Sequence, residues 1–101
     1  MAKYLLLWEL DSTRIPEDPS VRKEHWRGLQ DAVVKQLEAG QMKDWGLCVG
    51  EMTGFCIIEG TEVDVGRVTR GYVPYVSFDV KQVITIQQAI QNVEDMDTGA
   101  G

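Results

Sequence analysis

Lys3-Tyr4-Leu5-Leu6-Leu7-Trp8-Glu9-Leu10 is the stretch on which the reading of this chain turns. Tyr4, Leu6, Trp8 and Leu10 alternate with Leu5, Leu7 and Glu9, so a strand here carries apolar side chains on both faces. A half-exposed strand alternates apolar with polar. This one is therefore expected at the centre of a sheet, covered on both sides.

Outward from it, the chain alternates between helix and strand signals. The loop Asp11 to Asp18, with Pro16 inside it, is the longest connection before a helix. It leaves the end of the central strand and is a candidate rim or lid for a cleft. Asp18-Pro19 opens a helix, because Asp offers a capping oxygen and Pro at the first helical position loses no needed hydrogen bond. Trp26, Leu29, Val33 and Leu37 form its apolar stripe, and it runs to about Ala39, with Gly40 placed for a left-handed stop.

A second strand is expected over Lys43 to Glu51 and a third over Gly54 to Glu59, joined tightly at Met52-Thr53. Gly46 and Gly50 in the second suit an edge strand with a bulge or a close backbone approach. Thr61 and Asp64 make a capping box for a second helix with Val65, Val68 and Tyr72 on its apolar face, ended by Gly71 and Pro74. In the last strand Val76, Phe78 and Val80 alternate with Ser77, Asp79 and Lys81. Thr85 and Gln88 then cap a short third helix bearing Ile86, Ala89, Ile90 and Val93. The tail from Glu94 to Gly101 is polar and Gly-rich and is expected to fray.

The order β-α-β-β-α-β is the ferredoxin-like pattern. The expected fold is α+β, a single domain over residues 1–101, with a four-stranded antiparallel sheet, two helices on one face and a short C-terminal helix.

Composition narrows the function classes. The chain has 101 residues, 44% hydrophobic and 26% charged, which suits one ordinary globular core. A formal net charge of -6 opposes a nucleic-acid partner, which needs a basic face, and opposes an anionic membrane surface. No apolar run approaches the ~20 residues of a membrane span, and the N-terminal segment reads as strand rather than signal peptide. A cytoplasmic location is the resulting expectation.

Cys48 and Cys56 flank the hairpin turn. A two-residue turn pairs Glu51 with Gly54, sets Cys48 opposite Ile57 and points Cys56 to the other face. A slipped register with a three-residue loop sets the two cysteines opposite each other. The simpler reading is two reduced, apolar side chains. With one histidine and no C-x-x-C pair, neither a structural zinc site nor any other metal or cofactor is expected.

The candidate site residues are few. Trp8, Trp26 and Trp45 either line an apolar pocket or form the core or a subunit contact. His25 stands on the edge of the first helix's apolar stripe, as a candidate base or a partly exposed boundary residue. Glu9 ends the central strand, a candidate acid if buried and an ordinary solvated carboxylate if not. Glu51, Glu59 and Asp79 form a proton-transfer pair or cation site only if two of them meet on one face. If a ligand site exists, it is expected at the helix-sheet cleft near the end of the first strand, with Trp8 and Tyr75 as walls and His25 and Glu9 as catalytic candidates.

RNA-recognition domains share this element order. Their third strand carries a basic residue, Gly and alternating aromatics that stack on bases. Here Thr53-Gly54-Phe55-Cys56-Ile57-Ile58-Glu59 retains only the Gly-Phe step, which argues against that reading.

The run Tyr72-Val73-Pro74-Tyr75-Val76-Ser77-Phe78-Asp79-Val80-Lys81-Gln82-Val83-Ile84-Thr85 takes a helix end and a proline into a long alternating strand and a terminal helix. In this it resembles the dimeric α+β barrel superfamily, which includes muconolactone isomerase-like, YCII-like and small cofactor-free monooxygenase-like domains. The resemblance implies a homodimer with two sheets face to face and a cleft between sheet and helices, and the expected partner is the chain itself, in a homodimer or higher homo-oligomer assembled through the sheet. It is one of topology, and no catalytic residue carries over. Two functions follow as expectations. One is a homodimeric small-molecule-binding or structural domain without catalysis of its own. The other is a cofactor-independent isomerase or oxygenase acting on a small organic acid or aromatic compound.

Overall fold

A computed structural model describes residues 2–96. The elements are β1 (Ala2–Leu10), α1 (Pro19–Glu38), β2 (Asp44–Leu47), β3 (Thr53–Gly60), α2 (Glu62–Arg70), β4 (Val76–Val83) and α3 (Ile86–Met96). They build an α+β structure with one four-stranded antiparallel sheet in the order β2-β3-β1-β4, consistent with a ferredoxin-like fold.

The helix starts follow from local chemistry. The Asp18 carboxylate accepts from the amides of Ser20 at 2.9 Å and Val21 at 3.3 Å, two of the donors a helix start leaves without a partner. Pro19 takes the first position of α1, and Gly40, at φ +77°, turns the chain away beyond its end. Thr61 and Asp64 satisfy each other's amides at the start of α2, at 2.8 and 3.3 Å. Thr85 and Gln88 do the same ahead of α3, at 2.8 and 3.2 Å. That helix runs to Met96 and so includes Glu94, Asp95 and Met96, and the rest of the expected tail lies outside the described residues.

β1 is central, with Leu6 opposite Cys56 on one side and Val80 on the other. Tyr4, Leu6 and Trp8 point to the helical face, where Tyr4 and Leu6 form a buried core with Cys56, Ile58, Val33 of α1, Val65 and Val68 of α2, and Tyr72. α1 and α2 thus share one face of the sheet. Among the described residues, the expected cover of β1 on both sides is met on this face alone. On the other face Leu5, Phe55 and Ile57 are half-buried and Leu7 is 43% exposed.

The β2–β3 hairpin differs from the expected tight turn. Leu47 faces Gly54 and Asp44 faces Ile57, while the Cys48 amide donates to the Thr53 carbonyl at 2.9 Å. The turn is four residues, Val49 to Met52, closed by the Glu51 amide on the Cys48 carbonyl at 3.0 Å, with Gly50 supplying φ +80°. Cys48 therefore sits beside Thr53 rather than opposite Ile57. The offset is an even number of residues, so every side chain keeps its expected face. Cys48 is exposed, Cys56 is buried, and both are free thiols.

Candidate functional site

The site begins with a strand residue and a glycine. Trp8 points to the helical face, and its cross-strand neighbour is Gly54. A Cβ at Gly54 would overlap both the Trp8 indole and the Gly46 carbonyl. The missing side chain lets the indole lie against β3, where its Nε1 donates to the Phe55 carbonyl at 3.1 Å. Gly46 serves the other face, because a Cβ there would overlap the Phe55 ring. The expected close backbone approach in β2 is thus made at Gly46.

Trp45 of β2 stacks on Trp8, with ring centroids 5.5 Å apart and 14° between planes. Between this pair and α1 lies a cleft of about 220 Å³. Trp26 and Leu29 wall it from α1, Phe78 from β4 and Met52 from the hairpin, and Met42 lines it from the segment after α1. An apolar cavity of ~150 Å³ holds benzene. This cleft therefore has the volume for one aromatic ring with a small substituent.

Polar groups are sparse. Gln30 and Glu51 line the cleft, both on exposed residues. Tyr72 also borders it, but its hydroxyl is already given to the Gln36 side-chain carbonyl. Burial, reinforced by the neighbouring Cys56, pushes the Tyr72 phenol up to about 12. Burial likewise pushes the Cys56 thiol up to about 11, so it stays a neutral, unreactive SH at physiological pH. Among the described residues, none that line the cleft is Lys, Arg or His.

The structure brings together some of the residues named from sequence and separates others. Trp8, Trp26 and Trp45 all line the cleft at the end of β1. His25 does not line it. Its ring makes an edge-on contact with Tyr75, centroids 4.8 Å apart, and Tyr75 is exposed and also outside the lining. Glu9 alternates with Trp8 and so falls on the opposite face, in a depression shared with Leu7, Cys48, Ser77 and Asp79. The sheet stands between Glu9 and the helices, and His25 and Glu9 do not converge.

The Asp11–Asp18 loop holds a 3₁₀ turn, Ser12–Arg14, capped by Asp11, whose carboxylate accepts from the Thr13 amide at 2.9 Å. The Thr13 hydroxyl, then its amide, hold that carboxyl below its usual range. None of residues 11–18 lines the cleft. Of the three further acids, Glu51 is at the cleft, whereas Glu59 and Asp79 are on the other face, on strands separated by β1.

Sequence reasoning passed over Met42, Gln30, Glu51 and Met52 as cleft residues. Met42 stands two residues past the Gly40 stop, which returns the chain toward the sheet, and an apolar residue at such a point was the available signal. Met52 and Glu51 belong to the longer turn, hidden by the assumption of a two-residue one. Compared with known families and with curated proteins, the chain matches no family model and no curated protein.

Proposed function

We propose that this chain is a homodimeric small-molecule-binding domain whose ligand is a neutral or cationic compound built on a single aromatic ring. The observation that carries this reading is the 220 Å³ apolar cleft floored by the Trp8–Trp45 stack. Small-molecule sites are concave, mostly apolar and supplied with a few polar groups that fix orientation. Gln30 and Glu51 are those groups here, and Glu51 favours a ligand that donates a hydrogen bond or carries positive charge. An organic acid would meet this carboxylate with no lining cation to offset it.

Binding without chemistry is favoured over an isomerase or oxygenase because the pair on which catalysis was built, His25 and Glu9, lies on two sides of the sheet. The dimer is supported by the apolar centre of the open face, Leu5, Leu7, Phe55 and Ile57, together with the topological resemblance to dimeric α+β barrels.

A thermal-shift comparison of phenol, benzylamine and benzoate tests the ligand class. A ligand that binds only the folded chain raises its melting temperature in proportion to the logarithm of its excess over Kd. Phenol or benzylamine is expected to raise Tm with dose, and benzoate to leave it unchanged. No shift with either of the first two rejects the reading.

A further inference from the structure

Helix α3 is amphipathic, and among the described residues its apolar side has no cover. Ile86, Ile90, Val93 and Met96 are 71, 45, 65 and 73% exposed, and the helix contains no buried residue. Ile86, Ile90 and Val93, with Ala89, fall on one side at helical spacing. Eleven residues is short of the ~12–15 at which an isolated helix begins to hold in water, so α3 needs a surface against which to bury that row.

Among the described residues, none covers that row. The radius of gyration is 17.3 Å, whereas a compact chain of this length has about 13 Å. The dimensions, 63 × 26 × 21 Å, describe a body with a projecting element. Only Ile84 and Thr85 join β4 to α3, and Thr85 is committed to the capping box that fixes the helix start. A return over the chain's own sheet would have to reverse direction within those two residues.

The same chain carries an uncovered apolar surface of matching size. Leu5, Leu7, Phe55 and Ile57 occupy the centre of the open sheet face. An 11-residue helix is about 16 Å long, and four strands span about 14 Å.

We propose that α3 is a dimerisation arm, its apolar row lying across the open sheet face of a second copy, which returns its own α3 in the same way. The interface is isologous and closed, as twofold symmetry requires. The inference rests on the proposed homodimer and names the element that makes it.

Sedimentation equilibrium of the full chain at micromolar concentration, for wild type, Ile90→Glu and Leu7→Lys, tests it. Both substituted side chains are exposed in the single chain, and circular-dichroism melts confirm that the variants fold. The wild type is expected to be a dimer, and each variant to raise the dimer dissociation constant at least tenfold. If Leu7→Lys dissociates while Ile90→Glu dimerises like wild type, the arm is wrong and the sheet dimer stands. A monomeric wild type overturns both. The trans geometry is read by cross-linking in a Cys48→Ser background, mixing Leu7→Cys chains with Ile90→Cys chains under oxidation. A covalent dimer is expected. Rapid closure of an intramolecular disulfide in monomers carrying both substitutions would contradict docking in trans.

Discussion

The indole of Trp8 lies against the backbone at Gly54, and a methyl group at position 54 has no room. The floor of the cleft therefore depends on a residue that never touches its interior. Gly54→Ala is expected to destabilise the fold by about 1–3 kcal/mol, the usual cost of overpacking a filled site. Urea unfolding measures this, and a loss below ~0.5 kcal/mol would mean that both the indole and the Gly46 carbonyl move aside freely.

Trp45 is only half-buried, so its role in the stack separates from its role in stability. Trp45→Ala is expected to weaken phenol binding by roughly two- to tenfold, in line with the ~0.5–1.5 kcal/mol of an aromatic pair. Calorimetric titration gives the ratio, with the melting curve confirming that the chain still folds.

The two thiols differ in access. Cys48 is exposed and Cys56 is buried, its thiol raised to about 11. A disulfide-exchange reagent near neutral pH is expected to titrate one thiol in the folded wild type, two in denaturant and none in folded Cys48→Ser. Fast reaction of Cys56 in the folded variant would show that the core between β3 and the helices opens readily.

The alkaline limb of stability has a determined sign. The Tyr72 phenol lies at about 12 in the folded chain against 10.0 without its surroundings, and the Cys56 thiol at about 11 against 9.0. Above pH 9 the unfolded chain loses these protons first, so stability falls as pH rises. Their contribution is fully present below pH 9 and lost progressively between pH 9 and 12. Tyr72→Phe should lower stability near neutrality by about 1 kcal/mol through the lost hydrogen bond to Gln36, and flatten the fall above pH 10. Melts from pH 7 to 11.5 for both chains check this. An unchanged slope in the variant contradicts it.

Much of the fold was legible in short-range chemistry. Asp18, Thr61 and Thr85 marked the helix starts because capping is a contact over three residues, and Gly40 marked a stop because its left-handed backbone is local. The alternation of Tyr4, Leu6 and Trp8 located the core face for the same reason. The turn length did not follow, since Met52-Thr53 competes with a four-residue turn on equal local terms and only the pairing of Leu47 with Gly54 decides. The cleft was partly legible. Trp8 was found through its strand, but Glu9 and His25 were joined by nearness in sequence, and period-two alternation had already assigned Glu9 to the other face. Met42 and Met52 needed the tertiary fold.

The most direct test of the cleft uses the three tryptophans as reporters. In a two-dimensional ¹H–¹⁵N NMR spectrum their indole N–H signals stand apart, and phenol is titrated against them with benzoate as control. The proposed site requires saturable shifts of the Trp8, Trp26 and Trp45 signals with phenol, little change with benzoate, and no change at the Leu7 and Glu9 amides. Shifts confined to Leu7 and Glu9, or none at the indoles, would contradict it.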